Sequence, residues 1–361
     1  NNIRDKFGRK MDHPDYDATT LTIPKDFINK ATPAMQQYWN FKEDNFDKVM
    51  FFKLGKFYEL FYDDAIVGNK VLDLNWMGND PGKLHVGFPE KVLEEKAFQL
   101  IQGGFKVAVI EQVETPQEME KRLKAQKSSN KADKCIKREL CNVLTKGTFI
   151  FESEKSEGKV SYNNRFCLSL HCTEKFENNE SNDSITIYYE WNFLIWDVTT
   201  LDFYFGRIEQ DDENYTKIKT LLYNINPQEV IFLRNNIDSY MENFILSLAS
   251  NPQITKMKPG FTMLNLFKLT NLYFGESKSN WDELLVHYIN EENEGMLNVI
   301  FNSITYLQKL LLADQILKIA KFSTYKSNMI FNKNLILDYQ TITNLEILET
   351  KLDPKNKEAG S

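Results

Sequence analysis

Apolar and polar residues alternate along the chain with two different periods, which predict strands and helices in turn. Helical spacing of apolar positions predicts helices at residues 60–74, 92–102, 215–225 and 294–321, the last roughly 42 Å long. An acidic, asparagine-rich segment at 174–183 predicts a loop. Short strands interleaved with helices indicate an α/β fold. Apolar runs predict these strands at residues 49–52, 105–110, 139–145, 166–170, 185–189, 193–198, 201–208 and 229–233.

Residues 53–61, Lys-Leu-Gly-Lys-Phe-Tyr-Glu-Leu-Phe, follow the first predicted strand and carry the clearest chemistry. Residues two apart in an extended segment point the same way, so Phe57 and Glu59 are predicted to share a face, with Tyr58 turned inward. An exposed phenylalanine beside Lys53 and Lys56 is suited to entering between stacked bases while the cations hold phosphates. From these residues alone, the more ordinary interpretation is that the aromatic ring lies in the core and the acid is solvated.

The same stretch resembles the mismatch-sensing motif of the MutS family of DNA repair proteins, here Gly-Lys-Phe-Tyr-Glu-Leu-Phe at 55–61. Three other segments are similar to that family: Gly-Phe-Pro at 87–89, Glu-Gln-Val-Glu-Thr-Pro at 111–116, and Leu-Asp-Tyr-Gln-Thr-Ile-Thr-Asn-Leu-Glu at 337–346. Residues 12–33 resemble a narrower branch of the family, the sixth eukaryotic homologue. The resemblance therefore extends over nearly the whole chain.

The resemblance implies three domains within this α/β chain. Residues 1–148 are expected to form a mixed-sheet mismatch-binding domain, and residues 149–275 a ribonuclease-H-like connector domain. Residues 276–361 are expected to begin an α-helical lever and core domain. The polar residues 151–164 are expected to link the first two. Because the sequence does not begin with methionine, we expect it to be an excerpt of a longer protein.

The resemblance also implies roles for individual residues. Phe57 is expected to wedge into the minor groove at a mispair, and Glu59 to hydrogen-bond the wedged base. Leu54, Lys56 and Met77 are expected to support the kinked base step. The implied ligand is double-stranded DNA with mispairs or small loops. The implied protein partner is a subunit of the second eukaryotic MutS homologue in a heterodimer, and the implied location is the nucleus.

The charge balance is uneven along the chain. The net charge is -7, but residues 1–150 carry 24 Lys and Arg against 22 Asp and Glu, whereas the rest carries 20 against 29. Such asymmetry suggests one DNA-facing domain and others that do not face DNA. The densest basic stretch is residues 121–146, and its part 121–138 is a second, weaker candidate for contact with the DNA backbone. A solvated basic loop is an equal alternative for that stretch.

The cysteines and histidines indicate no metal site from their spacing, and we expect the thiols to be reduced. No apolar run is long enough to predict a membrane span. The four cysteines are Cys135, Cys141, Cys167 and Cys172, and the four histidines are His13, His85, His171 and His287.

No phosphate-loop sequence of the form Gly-x-x-x-x-Gly-Lys-Ser/Thr occurs in the chain. The resemblance implies that the ATP and Mg²⁺ site of the family lies downstream, so we expect no cofactor and no ATP hydrolysis here. Two alternatives remain open. One is a ribonuclease-H-like nuclease with Asp197 and Asp202 as metal-binding acids, and the other is a protein-interaction unit without DNA binding of its own.

Overall fold

The computed structural model describes residues 3–78, 83–126, 134–149, 165–179, 184–326, 338, 339 and 341. It divides into two compact units, residues 1–161 and residues 162–361. The expected linker at 151–164 lies outside the described residues, as does most of the segment 337–346. The division into three domains stays a prediction, since the clustering of contacts resolves two units.

The described part of the first unit is built on a five-stranded mixed sheet with the order β3-β2-β1-β4-β5. Strands β1 and β4 are parallel, and the other neighbouring pairs are antiparallel. This parallel pair needs a crossover, which the intervening hairpin and helices supply. The strands are β1 Lys48–Leu54, β2 Phe57–Phe61, β3 His85–Pro89, β4 Lys106–Gln112 and β5 Arg138–Leu144.

Both faces of this sheet are covered, which explains why β1 is almost continuously apolar and buried. One core contains Val49, Phe51 and Leu60 of the sheet together with residues of two helices. The core on the other face contains Met50 and Phe52 with residues of the helix that precedes β1. The helices of this unit are α1 Lys25–Lys30, α2 Pro33–Asp44, α3 Asp63–Leu72, α4 Leu93–Gln102 and α5 Pro116–Gln126.

The described part of the second unit is built on a six-stranded mixed sheet with the order β10-β9-β6-β7-β8-β11. The antiparallel strands β6, β7 and β8 follow one another, and β9 and β10 are added in parallel beside β6. This arrangement agrees with the ribonuclease-H-like expectation. The strands are β6 Cys167–Asn179, β7 Ser184–Asp197, β8 Asp202–Asp211, β9 Glu229–Leu233, β10 Gln253–Met257 and β11 Lys321–Thr324.

The helices of the second unit lie on both faces of its sheet. Helices α6 and α7 contribute Ile218, Leu222, Met241 and Ile245 to one core, and α10 packs against β6, β7 and β9. These helices are α6 Thr216–Ile225, α7 Ser239–Leu246, α8 Met263–Phe274, α9 Glu283–Asn290, α10 Glu294–Lys309 and α11 Ala313–Ile316. Among the described residues, no helix is long and apolar enough to cross a membrane.

Two predictions about the second unit were wrong. The predicted helix 294–321 ends at Lys309, so α10 is about 24 Å long. The chain turns back at Leu311, which has a φ of 61°, and later adds β11 in parallel to β8. Residues 174–179 belong to β6 rather than to a loop, because they pair with the extended first half of β7.

Candidate nucleic-acid interface

The hairpin of β1 and β2 presents Phe57 at the end of the first sheet. Leu54 and Phe57 are directly opposite each other, and Phe52 is opposite Glu59, so these four side chains share one face. Phe57 is 44% exposed, whereas Tyr58 on the other face is buried. The predicted alternation of the motif is therefore present in the fold.

Glu59 and Met77 both lie close to Gly87, which is opposite Glu59 in β3. A Cβ atom added to Gly87 would lie 3.1 Å from the Met77 Sδ atom and 3.2 Å from the Glu59 Cγ atom. Glycine at this position thus lets the two side chains come together across the strand. Met77 is 37% exposed, so the apolar surface beside Glu59 remains accessible.

Glu59 is half-buried, and this burial raises the pKa of its carboxyl group. The nearby positive charges of Lys83 and, when protonated, His85 act in the opposite direction, but the effect of burial dominates. Desolvation disfavours the charged form of a carboxylate. The site therefore favours a protonated Glu59 more than water would.

The two lysines of the motif have different surroundings. Lys56 is exposed at the hairpin tip. Lys53 is buried on the opposite face from Phe57, where its ammonium group pairs with the Glu90 carboxylate and lies 4.4 Å from the centre of the Tyr58 ring. A phosphate contact by Lys53, one of the possibilities in the sequence, does not fit this geometry.

The basic stretch is divided between structural cations and exposed ones. Arg122 forms a bidentate ion pair with Glu114, with N–O distances of 2.7 and 3.0 Å. The buried Arg138 donates from Nε to the Lys53 carbonyl at 2.7 Å and lies 4.8 Å from the Phe52 ring centre. Lys127 and Lys131 lie outside the described residues. The exposed cations among those described are Lys121, Lys124, Lys134 and Lys137.

The two acids of the nuclease alternative are cross-strand partners in β7 and β8. Asp197 is buried and accepts hydrogen bonds from the backbone and hydroxyl of Thr199 and from the Arg165 backbone. Its carboxylate therefore stabilises the turn after β7. Over the described ranges, no group of three or more His, Cys, Asp or Glu side chains is placed to hold a metal ion.

Two further residues lie next to the hairpin that the sequence did not single out. Gln112, at the end of β4, accepts a hydrogen bond from the Gly55 N–H at 3.1 Å. Trp76 forms an isolated bridge with Val86 and is 45% exposed. The position of Trp76 directly before Met77 could have indicated it. Gln112 lies in the family-like segment 111–116, but its contact with Gly55 depends on strand register and could not be predicted from that segment.

Comparison with known proteins agrees with this geometry. The family profile "MutS domain I" matches residues 32–153, which include the whole hairpin and the strands around it. The chain is 31% identical to DNA mismatch repair protein Msh6 of Homo sapiens, over 95% of the chain and 27% of the human protein. It is 31% identical to MSH6 of Arabidopsis thaliana, over 96% of the chain and 27% of the plant protein.

DNA mismatch repair protein MSH6 of Saccharomyces cerevisiae is 29% identical over 98% of the chain and 28% of the yeast protein. The chain thus spans little more than a quarter of the length of these relatives. Since an animal, a plant and a yeast relative all match across nearly the whole chain, the chain belongs to the MutS family of DNA mismatch repair proteins and is Msh6-like.

Proposed function

We propose that the first unit recognises mispaired DNA by inserting Phe57 into the minor groove at the mispair. The observation that carries this proposal is the exposed Phe57 ring beside the half-buried Glu59 carboxyl on one face of a sheet. Inserting an apolar side chain between base pairs costs a few kcal/mol of unstacking. That cost is smallest where pairing is already defective, so selectivity for a mispair follows from the mechanics of the DNA.

Glu59 has the second role in this proposal, as a hydrogen-bond partner of the wedged base. An ionised carboxylate can accept a hydrogen bond from the imino N–H of thymine, but a purine N7 is itself an acceptor. A hydrogen bond between Glu59 and N7 therefore requires a proton on the carboxyl group. The raised pKa of Glu59 supports this, and approaching phosphates would raise it further.

Three neighbours complete the proposed interface. Leu54 and Met77 provide apolar surface beside the wedge, and Lys56 provides an exposed positive charge at the hairpin tip. Cations placed near the phosphate backbone add affinity that does not depend on sequence and falls with salt. We assign these three residues supporting contacts rather than base recognition.

The wider setting of the protein is also part of the proposal. The names of the relatives support an action in mismatch repair, and we propose a second MutS-type subunit as the partner in a heterodimer in the nucleus. No phosphate-loop sequence occurs in the 361 residues, which supports a recognition role without ATP binding by this chain.

Fluorescence anisotropy on a duplex with one G·T mispair and on its matched twin, at two salt concentrations, tests the wedge. We expect the chain to prefer the mispaired duplex and Phe57→Ala to lose that preference. Stacking of a base on an aromatic ring contributes about 1–3 kcal/mol, so the loss should be roughly 5- to 150-fold. Phe7→Ala is the matched control, because Phe7 is 70% exposed in the same unit and its ring lies against Arg9 of its own segment.

Each other outcome would contradict part of the proposal. Equal binding of both duplexes by the parent chain, with a steep salt dependence, would leave a basic surface without recognition. Absence of binding by the parent chain would favour the protein-interaction alternative. A Glu59→Gln variant with the parental preference for every mispair would remove Glu59 from the mechanism.

A further inference from the structure

The tip of the proposed wedge hairpin consists of Gly55 and Lys56, which connect β1 to β2. Gly55 has a φ of 63°, in the left-handed region that tight hairpin turns require. Pairing between β1 and β4 ends at Phe52 and Ile110, so the tip extends beyond the part of β1 that β4 supports. Phe57 follows this tip directly, and its position depends on how the tip is held.

Three hydrogen bonds from three other segments hold the tip. The Glu90 N–H donates to the Lys56 carbonyl at 2.9 Å, and Arg138 Nε donates to the Lys53 carbonyl at 2.7 Å. The Gly55 N–H donates to Gln112 Oε1 at 3.1 Å. Of these three hydrogen bonds, the one to Gln112 is the one in which a side chain contacts Gly55, a residue of the turn itself.

Gln112 lies on the same face of the sheet as Phe57. Gln112 is two positions after Ile110 and so points to the same face. Ile110 is paired with Phe52, which shares the face of Glu59. The side-chain amide therefore spans the gap that opens between β1 and β4 beyond their last pair. Without this acceptor, the Gly55 N–H would bond to solvent, and only the contacts at the Lys53 and Lys56 carbonyls would remain of these three.

We propose that Gln112 is a positioning residue for Phe57, holding the hairpin tip in the orientation that the wedge needs before DNA arrives. This inference rests on the proposed function of Phe57. A site that is preorganised loses less on binding than one that must be ordered by its ligand. Discrimination between mispaired and matched DNA depends on the angle of the Phe57 ring, which the hairpin tip sets. Contacts with the DNA phosphates depend less on the tip.

The test uses the whole chain with three substitutions. Gln112→Met has similar length but only a weakly accepting thioether in place of the amide oxygen, whereas Gln112→Glu keeps a strong acceptor for the Gly55 N–H. Gln117→Met is the control, since Gln117 is exposed on α5. Two quantities are measured: hydrogen exchange of the Gly55 amide by NMR, without DNA, and the ratio of affinities for G·T-mispaired and matched duplexes.

We expect faster exchange of the Gly55 amide in Gln112→Met and parental exchange in the other two variants. The affinity ratio should fall about 3- to 10-fold in Gln112→Met, the range of one hydrogen bond. Gln112→Glu should retain the ratio, even though its negative charge weakens binding to both duplexes. Restoration of the ratio by an acceptor is a result that a general loss of stability would not produce.

Several results would overturn the inference. Unchanged Gly55 exchange in Gln112→Met would show that the amide does not hold the tip. Equal losses on mispaired and matched duplexes would make Gln112 a direct DNA contact instead. If Phe57→Ala lowers the affinity ratio and Gln112→Met does not, Phe57 is the wedge but the positioning role of Gln112 is wrong. If Phe57→Ala has no effect on the ratio, the proposed function itself is wrong. In that case the exchange of the Gly55 amide still decides whether Gln112 holds the tip.

Discussion

A buried ion pair between Lys42 of α2 and Asp64 of α3 connects both helices to the sheet that carries the hairpin. The two charged groups are 2.7 Å apart, and their side chains are 5% and 6% exposed. The Lys42 ammonium group also donates to the Lys48 carbonyl at 2.7 Å. Asp64 accepts from the Tyr38 hydroxyl at 3.1 Å and from the Met50 N–H at 3.2 Å. We predict that Lys42→Met strongly destabilises the first unit.

The magnitude follows from the burial of Asp64. Removing one partner of a buried pair leaves the other charge uncompensated and typically costs about 3–5 kcal/mol. A domain has only about 5–15 kcal/mol of stability in total. Two hydrogen bonds to Asp64 remain in the variant, so we expect a loss near the lower end, about 3 kcal/mol.

The loss should depend on pH in a defined direction. Burial raises the pKa of Asp64, and Lys42 opposes this effect. Without Lys42, the folded-state pKa of Asp64 rises further above its unfolded value. A carboxyl group with a raised folded-state pKa contributes most stability below its unfolded pKa, and this contribution is lost as pH rises through the folded pKa. The variant should therefore be closest to the parent at acidic pH and furthest from it at neutral pH.

Urea denaturation of the parent and of Lys42→Met, at pH 4.5 and at pH 7, measures both quantities. The double variant Lys42→Met/Asp64→Asn is the matched control, because it removes the uncompensated charge and should recover part of the loss. A difference of less than about 1 kcal/mol between parent and Lys42→Met at pH 7 would refute the reasoning. So would a loss that grows as the pH falls.

Two further predictions concern the second unit and the thiols. A Cβ atom at Gly206 would lie 2.1 Å from the Phe193 ring of the paired strand, so Gly206→Ala should lower the free energy of unfolding by about 3 kcal/mol or more in a thermal unfolding experiment. The control Gly260→Ala, whose Cβ would meet its nearest neighbour at 3.6 Å, should be nearly neutral. Equal effects of the two substitutions would contradict this prediction. Burial raises the pKa of Cys172 to about 12, which leaves roughly one thiolate in 10⁴ at pH 8. A disulfide reagent at pH 8 should therefore modify the exposed Cys141 long before Cys172, and comparable rates would show that Cys172 is accessible in the folded chain.

The family assignment and the main features of the motif could be predicted from the residues. The exposure of Phe57 and the burial of Tyr58 follow from the two-residue period of a strand, which is a local property. The start of α5 is equally local: the Glu118 N–H donates to the Thr115 hydroxyl and the Glu118 carboxylate accepts from the Thr115 N–H, which is the reciprocal pairing of a capping box between residues three apart. Strand β9 has the predicted bounds, Glu229–Leu233.

Tertiary structure decided which polar residues contact the hairpin tip and which are paired inside the fold. Lys53 and Arg138 were both candidates for contact with DNA in the sequence, with an inward-facing Lys53 as the alternative, and in the fold both have partners within the chain. Gln112 lies in the family-like segment 111–116, but nothing local to that segment indicates Gly55 as its partner, which strand register brings to it from 57 residues away. Such partners are set by pairing between distant strands, and a one-residue change of register would exchange their faces.

The limits of the sequence are also clear in the second unit. The apolar period of α10 continues past Lys309, but the helix ends there because the following residues turn back and place β11 beside β8. Likewise, the polar residues 174–179 become a strand because they pair with β7. Local periodicity determined which segments are helices or strands and which side chains alternate, because those depend on neighbours in the chain. Contacts between distant segments decided where elements end and which charges are left for a ligand, because each buried polar group must find a partner in the folded chain.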